Sequence, residues 1–96
     1  MNAREARALL SLELARWRER SYDELVSRID TEPVTGEITG PPGVRYQFEI
    51  QVFWDAKPGG VVRVLGSIDD GGLRAFAPLS DGFLMRADGT FAGEDA

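Results

Sequence analysis

Val44-Arg45-Tyr46-Gln47-Phe48-Glu49-Ile50-Gln51-Val52-Phe53-Trp54 decides the fold. Every even-numbered position in it is apolar, and the odd-numbered positions are polar apart from Phe53. A period of two sustained this far describes a strand with one face on a core and the other partly in water. Such a strand needs antiparallel neighbours and a second layer against its apolar side.

The downstream neighbour is set by parity. Lys57-Pro58-Gly59-Gly60 is turn chemistry, and residues 61–68 form a second β-rich run. A connection made of residues 56–60 sets Trp54 opposite Val62, Val52 opposite Val64, Ile50 opposite Gly66 and Phe48 opposite Ile68. One residue fewer would carry Arg63 onto the apolar face. Upstream, Gly40-Pro41-Pro42-Gly43 predicts a turn, with Ile38 against Val44, Gly36 against Tyr46 and Val34 against Phe48. Beyond Ile68, Asp69-Asp70-Gly71-Gly72 predicts a reversal into a short strand over 73–77, closed by Pro78. Phe83-Leu84-Met85 is a candidate fifth strand, and Ala87-Asp88-Gly89 a turn before an acidic end.

The first thirty residues change period. Ala6, Leu10, Leu14 and Trp17 recur at helical spacing, with Leu9 beside them. Ser21 and Glu24 read as a capping box for a second helix whose stripe is Tyr22, Val26 and Ile29, with Leu25 adjacent. Glu24 and Arg28 are spaced for an i,i+4 ion pair, and the helix ends before Pro33. The expected fold is α+β: two N-terminal helices packed on one face of a four- to five-stranded antiparallel meander. It is read as a single domain over 1–96, with a helical part at 1–31, the sheet at 34–86 and a short tail at 87–96.

Composition narrows function mainly by exclusion. The chain has 96 residues, no cysteine and no histidine. That removes disulfides, thiol nucleophiles, His/Cys zinc sites and imidazole acid–base catalysis. Sixteen acidic against eleven basic side chains give a net charge of −5, which disfavours nucleic acid. Residues 1–20 carry five arginines against three glutamates, a local +2 that reads as the solvated face of the first helix. The longest early apolar run, Ala8-Leu9-Leu10, is too short for an export signal or a membrane span, so a cytoplasmic protein without membrane contact is expected.

Carboxylates remain as possible catalytic or metal-binding groups. In the hairpin register Asp55 and the Asp69-Asp70 pair fall at opposite ends of the strands, roughly 24 Å apart, and so cannot act on one bond. Asp69-Asp70-Gly71-Gly72 lacks the alternating ligands of a calcium loop, and the glycine-rich stretch 36–43 lacks the lysine and following helix of a phosphate cradle. No catalytic residue, metal or cofactor is therefore assigned, and an enzyme is not expected.

Two groups stand out as binding candidates. Phe53, Leu65 and Phe76 are expected to gather on the outer face of the sheet, among Gln47, Glu49, Gln51, Arg63 and Arg74. Either the C-terminal segment, through Leu84 and Phe91, covers them, or a partner does. A homodimer paired through this face is the leading expectation, with an unknown protein partner as the variant of it. The alternative is a small apolar ligand held in a cavity between helices and sheet, lined by Trp17, Tyr46 and Trp54.

The run Ser67-Ile68-Asp69-Asp70-Gly71-Gly72, with Ala75-Phe76, Pro78-Leu79, Phe83, Asp88-Gly89, Phe91 and Gly93-Glu94, resembles a family of small uncharacterised bacterial proteins. The resemblance covers the C-terminal half and the strand 46–55. It implies no activity and transfers no residue role. The order of helices followed by antiparallel strands is also similar to cystatin-like and cone-shaped ligand-binding folds, a likeness of topology alone.

Overall fold

Helix α1 (Ala3–Arg18) starts at Asn2, whose side chain accepts a hydrogen bond from the Glu5 amide at 3.0 Å. Its buried face is Ala6, Leu10, Leu14 and Trp17, the stripe its spacing predicts. The computed structural model describes residues 2–41, 43–71 and 78–94. Helix α2 (Tyr22–Val26) opens on Ser21, whose hydroxyl accepts from the Glu24 amide at 3.1 Å. The reciprocal half of the capping box is replaced by an ion pair, because the Glu24 carboxylate lies 3.9 Å from Arg20. The expected Glu24–Arg28 pair is thereby lost. Residues 27–30 continue as turns, and Asp30 at φ 64° ends the helical part in the left-handed region. The helix is shorter than its apolar stripe, yet Ile29 still packs against the core.

Five strands follow: β1 (Val34–Gly40), β2 (Val44–Trp54), β3 (Val62–Asp69), β4 (Leu79–Met85) and β5 (Phe91–Ala92). They form one antiparallel sheet in the order β1-β2-β3-β4-β5, a meander with the helices against it. The fold is α+β, as the sequence predicts. The β2–β3 register is also the expected one, with Trp54 opposite Val62, Val52 opposite Val64, Ile50 opposite Gly66 and Phe48 opposite Ile68.

Two expectations about the sheet are corrected. Ile38 faces Tyr46 rather than Val44, and Val34 faces Ile50 rather than Phe48. The connection is only residues 41–43, closed by the Gly43 amide on the Gly40 carbonyl at 2.6 Å, with Gly43 at φ 104°. The hairpin closes two residues tighter than expected, with glycine at the positive φ of its last loop position. A slip of two preserves the faces, so the core is unaffected. Second, the strand beside β3 is β4, whereas the strand expected over 73–77 lies outside the described residues. The tail expected at 87–96 is in part a strand, since β5 pairs with the end of β4.

The core lies between α1 and the inner face of the sheet. Tyr46, Ile50, Val62, Val64, Ile68, Phe83 and Met85 come from the sheet, and Leu25 joins them from α2. At the far edge Arg18 lies 4.8 Å from the ring centres of both Phe83 and Phe91, and its guanidinium holds Glu94 at 2.8 Å. This cationic clasp ties β5 to the first helix.

Candidate functional site

The outer face is built by the odd positions of β2 and β3 and the even positions of β4. Three rows cross it: Phe53–Arg63–Leu84, Gln51–Leu65–Gly82 and Glu49–Ser67–Ser80. Phe53 is 36% exposed, and Leu65 and Leu84 are half-buried. Arg63, in the middle of the first row, turns its guanidinium to Asp55, with Nε and Nη2 on Oδ1 at 3.0 and 2.7 Å. With that guanidinium turned to Asp55, Leu65 and Leu84 flank a shallow groove of about 220 Å³ that Gly82 also lines, and Phe53 stands on the same face across Arg63 from Leu84.

Of the three residues expected on this face, Phe53 and Leu65 fall within the described residues. Phe53 and Leu65 lie together as predicted. The residue opposite Leu65 is Gly82, so the expected Leu65–Phe76 pairing does not form, and Phe76 itself lies outside the described residues. Leu84 stands on the same face, as its alternation with the buried Phe83 and Met85 dictates. Phe91, expected over this face, instead packs edge-on against Phe83 with centroids 5.6 Å apart, on the helix side.

The aromatic trio expected to wall a cavity is dispersed. Tyr46 and Trp54 stand on one strand eight positions apart, roughly 27 Å at the rise of a strand. Tyr46 is buried beside the start of α1, where its hydroxyl donates to Glu5 Oε1 at 3.0 Å. Burial, and then the Glu5 carboxylate, push this phenol above the ordinary tyrosine range. Trp54 is half-buried against Tyr22, ring centres 6.5 Å apart, and Tyr22 donates to the Gly60 carbonyl at 2.7 Å. Trp17 is buried and carries Arg20 on its ring at 4.3 Å. Trp17 borders a cavity at the α2–β1 connection that neither Tyr46 nor Trp54 lines.

The carboxylates serve local structure. Asp55 holds Arg63, Asp69 accepts from the Gly71 amide at 2.8 Å, and Asp81 from the Gly82 amide at 2.8 Å. Asp88 accepts from both the Thr90 hydroxyl and the Thr90 amide, at 2.6 and 2.9 Å, and those bonds hold its carboxyl below the usual range. Among the described residues no three acidic side chains converge, and no helix is long and apolar enough to cross a membrane. Comparison with protein-family models, curated proteins and solved structures finds no match to the chain.

Proposed function

We propose that this chain is a non-catalytic protein-interaction module that self-associates through the outer face of its sheet. The observation that carries the reading is the apolar pair Leu65 and Leu84 beside Gly82, with Phe53 across Arg63 on the same face, the one opposite to the face the helices pack against. Two copies related by a two-fold axis would cover the patch on both at once, and isologous pairs of this kind are the commonest oligomers. Glu49, Gln51 and the Arg63–Asp55 pair would supply the polar rim.

Size sets the strength. Strands about 4.8 Å apart and seven residues long make a four-stranded face roughly 19 Å by 24 Å, which buries on the order of 900 Å² from two chains. That lies at the small end of specific interfaces, where association is weak and transient; the proposed dimer is given a dissociation constant of tens of micromolar, about −6 to −7 kcal/mol. The same proposal takes the chain to be cytoplasmic and akin to the bacterial family that it resembles.

Light scattering across a concentration series tests it. The wild-type chain should move from monomer toward dimer at tens of micromolar, and Leu65→Glu, which places a charge at the dry centre, should stay monomeric with unchanged helix content. A wild type that remains monomeric at several hundred micromolar would end the proposal.

A further inference from the structure

Where β1 stops, β2 continues. Val34 faces Ile50, and β2 runs on to Trp54 with no strand on that side. The direction of the bare backbone groups follows from the hairpin. The Asp55 amide donates to the Val61 carbonyl at 2.9 Å, so Asp55, Phe53 and Gln51 turn their peptide groups toward β3. Val52 and Trp54 must then turn theirs the other way. Among the described residues nothing pairs with their N–H and C=O groups on that edge.

This bare edge opens into a cavity of about 270 Å³ lined by Trp17, Arg28, Glu32, Val34, Ile50 and Val52. Arg28 is exposed there, 5.8 Å from the Trp17 ring centre, and no carboxylate of the described residues reaches it within ion-pairing distance. Its helical neighbour Glu24 has gone to Arg20 instead.

We propose that this notch binds the C-terminal end of an extended partner peptide, which adds to the sheet beside Val52 and Trp54 and sets its carboxylate against Arg28. Strand addition gives the main-chain bonds, and the exposed edge is their template. A terminus is required rather than a through-running strand, because β1 already occupies the same track from Val34 onward. Antiparallel addition to β2 places the C-terminal end, not the N-terminal one, against Val34. Arg28 offers that carboxylate a planar, charge-assisted pair of donors. The peptide residue opposite Val52 points to the same side as Val34 and Ile50, toward Trp17, so its side chain should be apolar. Glu32 on the wall opposes the carboxylate and limits affinity. The notch shares Phe53 with the outer face, but Leu65 and Leu84 lie outside it, and binding there does not depend on self-association.

The probe is a set of acetylated tetrapeptides ending in Val, Leu, Ile or Phe, each as free acid and as amide, titrated to millimolar concentration into the isotope-labelled full chain. Free acids should shift the Val52 and Trp54 amide resonances saturably and slow their hydrogen exchange. Amidation, or Arg28→Gln, should weaken binding about tenfold, the scale of one charge-assisted hydrogen bond. Arg28→Lys should keep part of the affinity and Glu32→Gln should raise it, whereas the monomer-directed Leu65→Glu should bind as wild type does. The proposal is overturned if no free acid moves those amides, if acids and amides bind alike, or if the shifts appear at Leu65 and Leu84 instead. Should Arg28→Gln disturb Trp17 packing, the acid–amide comparison on the wild-type chain decides alone.

Discussion

Gly66 lacks a side chain, and α1 occupies the space that one would fill. A methyl group there would meet Leu10 Cδ1 at 2.9 Å, Ile50 Cδ1 at 3.1 Å and Leu14 Cδ2 at 3.2 Å. All three are ends of core side chains in a packed layer, so the helix must lift or the rotamers must change. Gly66→Ala should cost about 1–3 kcal/mol, the usual range for overpacking, read as a lowered urea midpoint with an unchanged slope. An unchanged midpoint would mean that α1 does not sit on the sheet at this glycine. Tyr46 makes a pH prediction at the same scale. Its phenol is held neutral in the folded chain, so above pH of about 10 the unfolded chain releases this proton first. The folded state then binds more protons than the unfolded state, and stability falls as pH rises. Its contribution is complete below that pH and is lost through the raised value of the folded state. Tyr46→Phe should flatten the alkaline limb of a plot of denaturation midpoint against pH; an identical limb in both proteins would refute the assignment.

The elements owe their limits to short-range chemistry and their placement to contacts far along the chain. Ser21 caps α2 through one hydrogen bond, and Ser21→Ala should cost about 1 kcal/mol, as loss of an N-cap does. The two-residue β5 has little ladder of its own and depends on Arg18, which stacks on Phe83 and Phe91 and pairs with Glu94. Arg18→Met keeps most of the apolar stem but removes the charge. It should cost about 1 kcal/mol, since cation–π contacts and half-exposed ion pairs are each worth less than that to about that. Hydrogen exchange localises the effect: the amide of Thr90 and those of β5 should exchange faster, while β2 and β3 amides hold their rates. Uniform acceleration across the sheet would show that the clasp supports the whole fold rather than its edge. The Arg18 contacts were illegible from sequence, because they join positions more than sixty residues apart with no local pattern to announce them.

At the scale of the molecule, two tryptophans report on the layering. Trp17 is 3% exposed beneath its arginines, whereas Trp54 is half-buried at the sheet end against Tyr22. Iodide should therefore quench a Trp17-only variant weakly and a Trp54-only variant more strongly, the second reversing the equal burial that the apolar stripes alone suggest. Equal protection of both indoles would require α2 to lie further over Trp54 than it does. The same layering puts both helices on one face of the sheet, so the self-association proposed above would draw on the opposite face as a whole rather than on any one residue.

The alternation along β2, the spacing along α1 and the turn residues between strands determined by themselves the α+β class, the β2–β3 register and the face each side chain takes. Those are periodic properties of a local backbone, and a pattern of apolar positions specifies them wherever one face must be buried. The partner of β3, the tightness of the 41–43 connection, the place of Leu84 beside Leu65 on the outer face and the dispersal of Trp17, Tyr46 and Trp54 were decided only in three dimensions. Parity is blind to a slip of two residues, and it says which face a residue joins but not which strand lies beside it. Strand choice follows from the packing of α1, α2 and the Arg18 clasp against one side of the sheet, a sum of contacts distant in sequence that no local window contains.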